Sequence, residues 1–98
     1  MRDTFIIQLS EKWAILADRN QWVLAKLEKY RAQGDLRHPA VRWRGISFIG
    51  SSKTVLHRVV REKGIKVDPE AARVIETWPE RFLDWRDQEF SKYLDSSS

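Results

Sequence analysis

Turn-forming residues cut the first fifty positions into short β-type runs, and that punctuation constrains the fold more than any other feature of the chain. Residues 4–9, Thr4-Phe5-Ile6-Ile7-Gln8-Leu9, are rich in β-branched and aromatic side chains, which suit a half-buried pleated surface. Ser10, Glu11 and Lys12 make a turn. Residues 13–17 form a second strand, ended by Asp18, Arg19 and Asn20. Residues 21–32 admit two readings. Asp18 as an N-cap, Gln21 three residues later and Gly34 as the stop fit a helix. The alternation of Trp22, Leu24 and Lys26 with Val23, Ala25 and Leu27, so soon after a turn, fits a central strand over 21–29, the preferred reading. Residues 31–41 read as a polar loop around Gly34, Asp35 and Pro39. Residues 43–49 resume a strand with Trp43, Gly45, Ser47 and Ile49 on one face and Arg44, Ile46 and Phe48 on the other, and Gly50 ends it.

From Ser51 onward the period changes. Ser51 or Ser52 caps a helix over 52–63, with Gly64 at its C-terminal position. Val55, Leu56, Val59 and Val60 form its apolar stripe, and Lys53, His57 and Arg61 fall on a basic one. Asp68-Pro69 opens a second helix over 69–77. Pro79 forces a break before a third over 80–94. The chain therefore predicts an α+β fold: an antiparallel meander of three or four strands, with two or three helices packed on one face and the other face wet. At 98 residues it suits a single domain, 1–95, followed by a disordered tail at 96–98.

Composition removes several kinds of chemistry. The absence of cysteine excludes disulfides, thiolate zinc sites and thiol catalysis. The longest apolar runs fall far short of the ~20 residues that span a bilayer, and no signal-type apolar region follows Met1. A cytoplasmic protein without membrane contact is expected. The net charge of +4 is uneven: residues 1–66 carry 14 Lys/Arg against 6 Asp/Glu, and residues 67–98 carry 4 against 8. This distribution fits a nucleic-acid surface with an acidic flank, or two halves of one fold that complement each other.

No motif marks a catalytic, cofactor or metal site. Gly50-Ser51-Ser52-Lys53-Thr54 lacks the glycine that a nucleotide-binding loop places before its lysine. Its helix-start N–H groups could still hold one phosphate oxygen, although an ordinary serine cap explains the same residues. His38 and His57 show no metal-ligand spacing, and no Gly-x-Ser-x-Gly elbow occurs. Residues 55–77 have the spacing of a helix-turn-helix, but the second helix offers Arg73 among Glu70 and Glu76, a pattern that repels phosphates. Among the tryptophans, Trp13, Trp22 and Trp85 are expected in the core and Trp43 or Trp78 partly exposed. The candidate partner-binding residues are Arg31, Arg37, His38, Arg42, Trp43 and Arg44 in and beside the loop, with Lys53, His57 and Arg61 on the first helix.

The order of these features resembles small accessory proteins encoded by temperate phages and prophages of proteobacteria. The residues that carry the resemblance are the strand 13–17, Asp18, the Trp-containing strand from Gln21 to Leu24, the basic loop, the Trp43-led strand and the Ser51-led helix, all within residues 4–63. Most such proteins have no assigned function, so the resemblance implies an accessory role in the bacterial cytoplasm and transfers no catalytic residue. It also favours the strand for residues 21–29. The expected function is non-enzymatic binding and occlusion of a host protein or nucleoprotein complex, for instance as an anti-CRISPR-like inhibitor of a defence system. The alternative is a small nucleic-acid-binding protein acting through Lys26, Lys29 and the arginines of the loop.

Overall fold

The computed structural model describes residues 3–30, 40–90, 92 and 93. Four strands follow one another in sequence and in space: β1 (Thr4–Gln8), β2 (Trp13–Ala17), β3 (Trp22–Tyr30) and β4 (Ala40–Ile49). Each is antiparallel to the next, which makes a meander in the order β1-β2-β3-β4. Asp18 decides between the two readings of the segment after it. Its Oδ1 accepts hydrogen bonds from the N–H groups of Asn20 at 2.7 Å and Gln21 at 3.0 Å. This local turn closes the β2–β3 hairpin, so the aspartate ends one strand and starts the next instead of capping a helix.

Two bulges set which side chains face which way. Phe5 pairs with Leu16 and Ile7 with Ile15, which leaves Ile6 as an extra residue in β1. Ile6 and Ile7 both pack on the helix side as a result. In β4, Ser47 pairs with Leu24 and Gly45 with Ala25, so Ile46 is the extra residue. The unbroken alternation expected for 43–49 is therefore corrected at Ile46. Ile49 lies opposite Trp22 on the helix side, whereas Trp43, Gly45 and Phe48 share the other face with Leu27, Ala25 and Val23. β4 also begins earlier than the sequence suggests, because Ala40 and Val41 pair with Tyr30 and Lys29. The rest of the expected loop, 31–39, lies outside the described residues, as does the tail 96–98.

One face of the sheet carries the helices α1 (Lys53–Glu62), α2 (Pro69–Glu76) and α3 (Phe82–Trp85). All four N–H groups at the start of α1 find acceptors. Lys53 donates to the Glu80 carbonyl at 2.6 Å, Thr54 to Glu80 Oε2 at 2.8 Å, Val55 to Ser52 Oγ at 3.3 Å and Leu56 to the Ser52 carbonyl at 3.1 Å. Its other end closes with Gly64 at φ 69°. The Gly64 N–H reaches the Arg61 carbonyl and the Ile65 N–H that of Val60, a left-handed cap that only glycine adopts without strain.

Pro79 separates α2 from α3, as expected, but the single helix over 80–94 is not formed. Arg81 is extended and bridges to Ser52, and the Phe82 N–H donates to the Ser51 carbonyl at 3.1 Å. The helix can start only at Phe82. It passes after one turn into a π-type turn, Arg86–Phe90. That wider turn stacks residues five apart, which brings the Phe90 ring to 5.7 Å from that of Trp85.

The core is aromatic. Trp22 is fully buried; its ring stacks on Trp78 at 5.7 Å and meets Phe82 edge-on at 5.2 Å and Trp85 at 5.7 Å. Trp78 is thus a core residue; Trp43 is half-buried, as expected for one of that pair, and so is Trp13, expected in the core, at the start of β2 with the Lys26 ammonium 5.6 Å above its ring. Among the described residues no helix is long and apolar enough to cross a membrane.

Candidate interaction surface

The face of the sheet away from the helices is open to solvent among the described residues, as expected, yet its lining is largely apolar. Ala14, Leu16, Val23 and Ala25 are buried there, with Trp43 packed against them. Phe5 and Trp43 reach towards each other over this face until their rings are 5.8 Å apart. The small side chains of Ala14 and Ala25 leave the room that two large rings need. Gly45 does the same for Phe48: a Cβ at position 45 would stand 3.2 Å from the Phe48 ring and 3.0 Å from Val23. The aromatic rings shield the aliphatic residues and are themselves left to solvent. Phe48 is 59% exposed, Val41 54% and Phe5 45%. Among the described residues no helix or strand covers this face.

The same hairpin carries the charge. β2 pairs with β3 no further than Lys26, so the residues beyond it on β3, and their partners on β4, form a two-stranded ribbon. Residues 26–44 contain six of the 18 Lys/Arg and two of the 14 Asp/Glu. Every other part of the chain taken together has twelve of each, so the net charge of +4 equals the excess within this stretch of sequence, of which Lys26, Lys29, Arg42, Arg44 and Glu28 lie on the described strands. On its helix-side face Arg44 lies opposite Lys26 and Arg42 opposite Glu28, and Arg44 Nη1 reaches diagonally to Glu28 Oε1 at 3.1 Å. An exposed pair of this kind contributes about 0–1 kcal/mol to stability. Its main effect is to orient one arginine while the ribbon stays cationic.

The sequence-derived candidates divide into three groups. Arg42, Trp43 and Arg44 lie together on β4, with the arginines on the helix side and Trp43 on the other. Lys53, His57 and Arg61 lie on α1, on the helix side of the sheet, and do not join Trp43 in one patch. Lys53 is engaged in holding the fold: its ammonium donates to the carbonyls of Trp78 at 3.0 Å and Glu76 at 3.3 Å, at the C-terminal end of α2. His57 Nε2 lies 3.8 Å from Glu76 Oε1 on the surface. Arg31, Arg37 and His38 lie outside the described residues.

The N-terminus of α1 already holds an anion, and it is the chain's own. Glu80 Oε2 accepts from both the Thr54 hydroxyl at 2.6 Å and the Thr54 N–H, and these bonds hold its carboxyl below the ordinary range. A phosphate oxygen has no place there while Glu80 remains. Of the depressions in the surface, one lies between β1 and α2; its lining includes Ile7, Gln8, Val74 and the charged Asp68, Glu70 and Arg73, and it gathers no nucleophile with a base. Among the described residues no three His, Asp or Glu side chains are placed to hold a metal ion.

Sequence reasoning missed Phe5, Val41, Phe48 and Glu80. A parity count that allowed for an extra residue after Gly45 would have found Phe48. Nothing local marks Glu80. Comparison with protein-family models, curated proteins and solved structures gave no match.

Proposed function

We propose that this chain is a non-enzymatic binding protein that docks on a protein partner through the helix-free face of its sheet. The observation that carries this reading is the row of exposed apolar side chains, Phe5, Val41 and Phe48, around Trp43 on a face with no covering element among the described residues. Contiguous apolar surface of this kind marks interaction sites, and tryptophan is the residue most enriched among those that dominate binding energy. The resemblance to phage and prophage accessory proteins supplies the setting: occlusion of a host protein or nucleoprotein complex in the bacterial cytoplasm, with inhibition of a defence nuclease in the anti-CRISPR manner as one form. The test is capture from nuclease-treated host lysate by the intact protein and by Val41→Glu and Phe48→Glu. A partner retained by the intact protein and lost by both variants supports the reading. Loss of every partner on nuclease treatment refutes it.

One observation favours a second reading. The described part of the β3–β4 ribbon carries Lys26, Lys29, Arg42 and Arg44 against Glu28, and a ribbon of that width enters the major groove of duplex DNA. Under this reading log K falls against log salt with a slope of about −0.9 for each phosphate neutralised. Absence of any mobility shift at low salt removes it.

A further inference from the structure

We infer that, in the isolated protein, the helix-free face of the sheet is covered by the same face of a second copy, in a weak two-fold sandwich. This rests on the same open face as the docking reading above and goes beyond it, naming what holds that face until a host partner displaces it.

Charge is nearly absent from the face. Among the described strand residues that register places there, Lys29, opposite Val41, is the one that carries a charge. Lys26 and Arg44 lie on the helix side, where the Lys26 ammonium sits above the Trp13 ring. A partner selected by charge finds little to read on such a face, whereas two copies meet without bringing like charges together. Sheets pack face to face about 10 Å apart, with strands within about 30° of each other because each sheet is twisted. A second copy supplies a sheet of identical twist.

A two-fold axis lying between the sheets and across the strands sets β4 over β4 in opposite directions. Each Phe48 ring then meets the smaller Val41 of the other copy, and Gly45, without a side chain, lies near the centre where the sheets approach. The two Lys29 ammonium groups go to opposite ends. The face measures roughly 25 Å along the ribbon and 15 Å across the four strands, about 400 Å² in plan, where a standard stable interface takes ~800 Å² from each partner. The dimer is therefore reversible, with a dissociation constant of about 10–500 µM, and gives way to a tighter partner. An anionic lipid surface fits less well, because it needs Lys26 and Arg44 on the same side as the rings.

The experiment is sedimentation equilibrium of the full chain from about 5 to 500 µM, with flotation on phosphatidylserine vesicles for the competing occupant. The expected result is a mass that rises from that of one chain towards that of two, with a dissociation constant that changes less than about threefold between low and high salt. Val41→Glu and Phe48→Glu stay at the mass of one chain. Leu83→Glu, at an exposed position on the helix side, associates as the parent does. Val41→Glu decides the matter if Phe48→Glu fails to fold. A one-chain mass at every concentration, association unchanged in Val41→Glu, loss in Leu83→Glu alone, a steep fall with salt, or vesicle binding in place of self-association each overturns the inference. A one-chain mass throughout, with lysate capture still lost in Phe48→Glu, overturns the dimer alone and leaves docking by the sheet face standing. A dimer dissolved by Val41→Glu, with no partner captured from nuclease-treated lysate, supports the inference and removes the docking reading.

Discussion

Trp22 touches three other aromatic rings, and its indole N–H, like that of Trp85, finds no acceptor among the described residues. The two effects oppose each other. Truncation by Trp22→Ala removes a fully buried ring and is expected to cost about 3–5 kcal/mol. Trp22→Phe keeps most of the ring contact and removes a buried donor whose desolvation costs about 1–3 kcal/mol. Urea unfolding should therefore show less than half the loss for Phe that it shows for Ala; equal losses would mean that the N–H is satisfied. Glu80 gives a pH dependence. Bonds from Thr54 hold its carboxyl below the ordinary value of 4.5 in the folded chain. A carboxylate depressed on folding stabilises above its unfolded pKa, and that contribution disappears as pH falls through the folded value. The unfolding midpoint of Glu80→Gln should be lower than that of the parent at pH 7, and the gap should close on acidification below about 4.5. A gap independent of pH would assign the effect to packing.

At the scale of elements, the bulge at Ile46 determines what the outer face contains. Without it, Phe48 and Trp43 would lie on opposite sides, and the helix-free face would lose one of the three rings it carries, Phe5, Trp43 and Phe48. Period-2 alternation was legible in residues 43–49, but the position of an extra residue is set by the partner strand, so it could not be read from β4 alone. Gly45 completes the arrangement, because a methyl group there would sit 3.0 Å from Val23 and 3.2 Å from the Phe48 ring. Gly45→Ala is expected to destabilise by about 1–3 kcal/mol through overpacking, and adding Val23→Ala should recover part of the loss. Additive losses in that double mutant, measured by denaturant unfolding, would show that Val23 does not oppose the methyl group. The helices show the same division. Local signals placed the Ser52 cap, Gly64 and Pro79 correctly. The extended Arg81 that delays the start of α3 depends on Ser51 and Ser52, which are nearly thirty positions away in sequence.

At the scale of the whole molecule, a polar and apolar division exists on both sides of the sheet, and only one side is closed by helices. Val41 lies on the ribbon beyond β2 and is more than half exposed. Val41→Glu is therefore expected to change stability by no more than about 0.5 kcal/mol. Phe48→Glu should cost more, because its ring shields Val23. Thermal melts of both variants, set beside lysate capture, separate loss of binding from loss of fold. A large loss of stability in Val41→Glu would mean that this face is closed within the protein itself. The sheet order, the Ser52 cap of α1 and the burial of Trp22 and Trp85 followed from patterns of neighbours along the chain. The basic stripe Lys53–His57–Arg61 was equally visible as a spacing, yet Lys53 is taken up by the carbonyls of Glu76 and Trp78. Spacing places charges on one helical face; it does not say which ones another helix will use.

Glu80 closes the start of α1, and Trp78, Phe82 and Trp85 close the ring cluster around Trp22. A ribosome adds about 5–20 residues each second, so roughly 1–5 s separate the synthesis of residue 53 from that of residue 80. During that interval the nascent chain has its four strands and no roof on either side of them. Two apolar sheet faces and two open edges are exposed together, which is the form of client that holdase chaperones bind. Ribosome-bound chains whose four strands have left the exit tunnel while Trp78 is still inside it should capture such chaperones, and chains lengthened by a C-terminal linker until Phe90 is outside should release them.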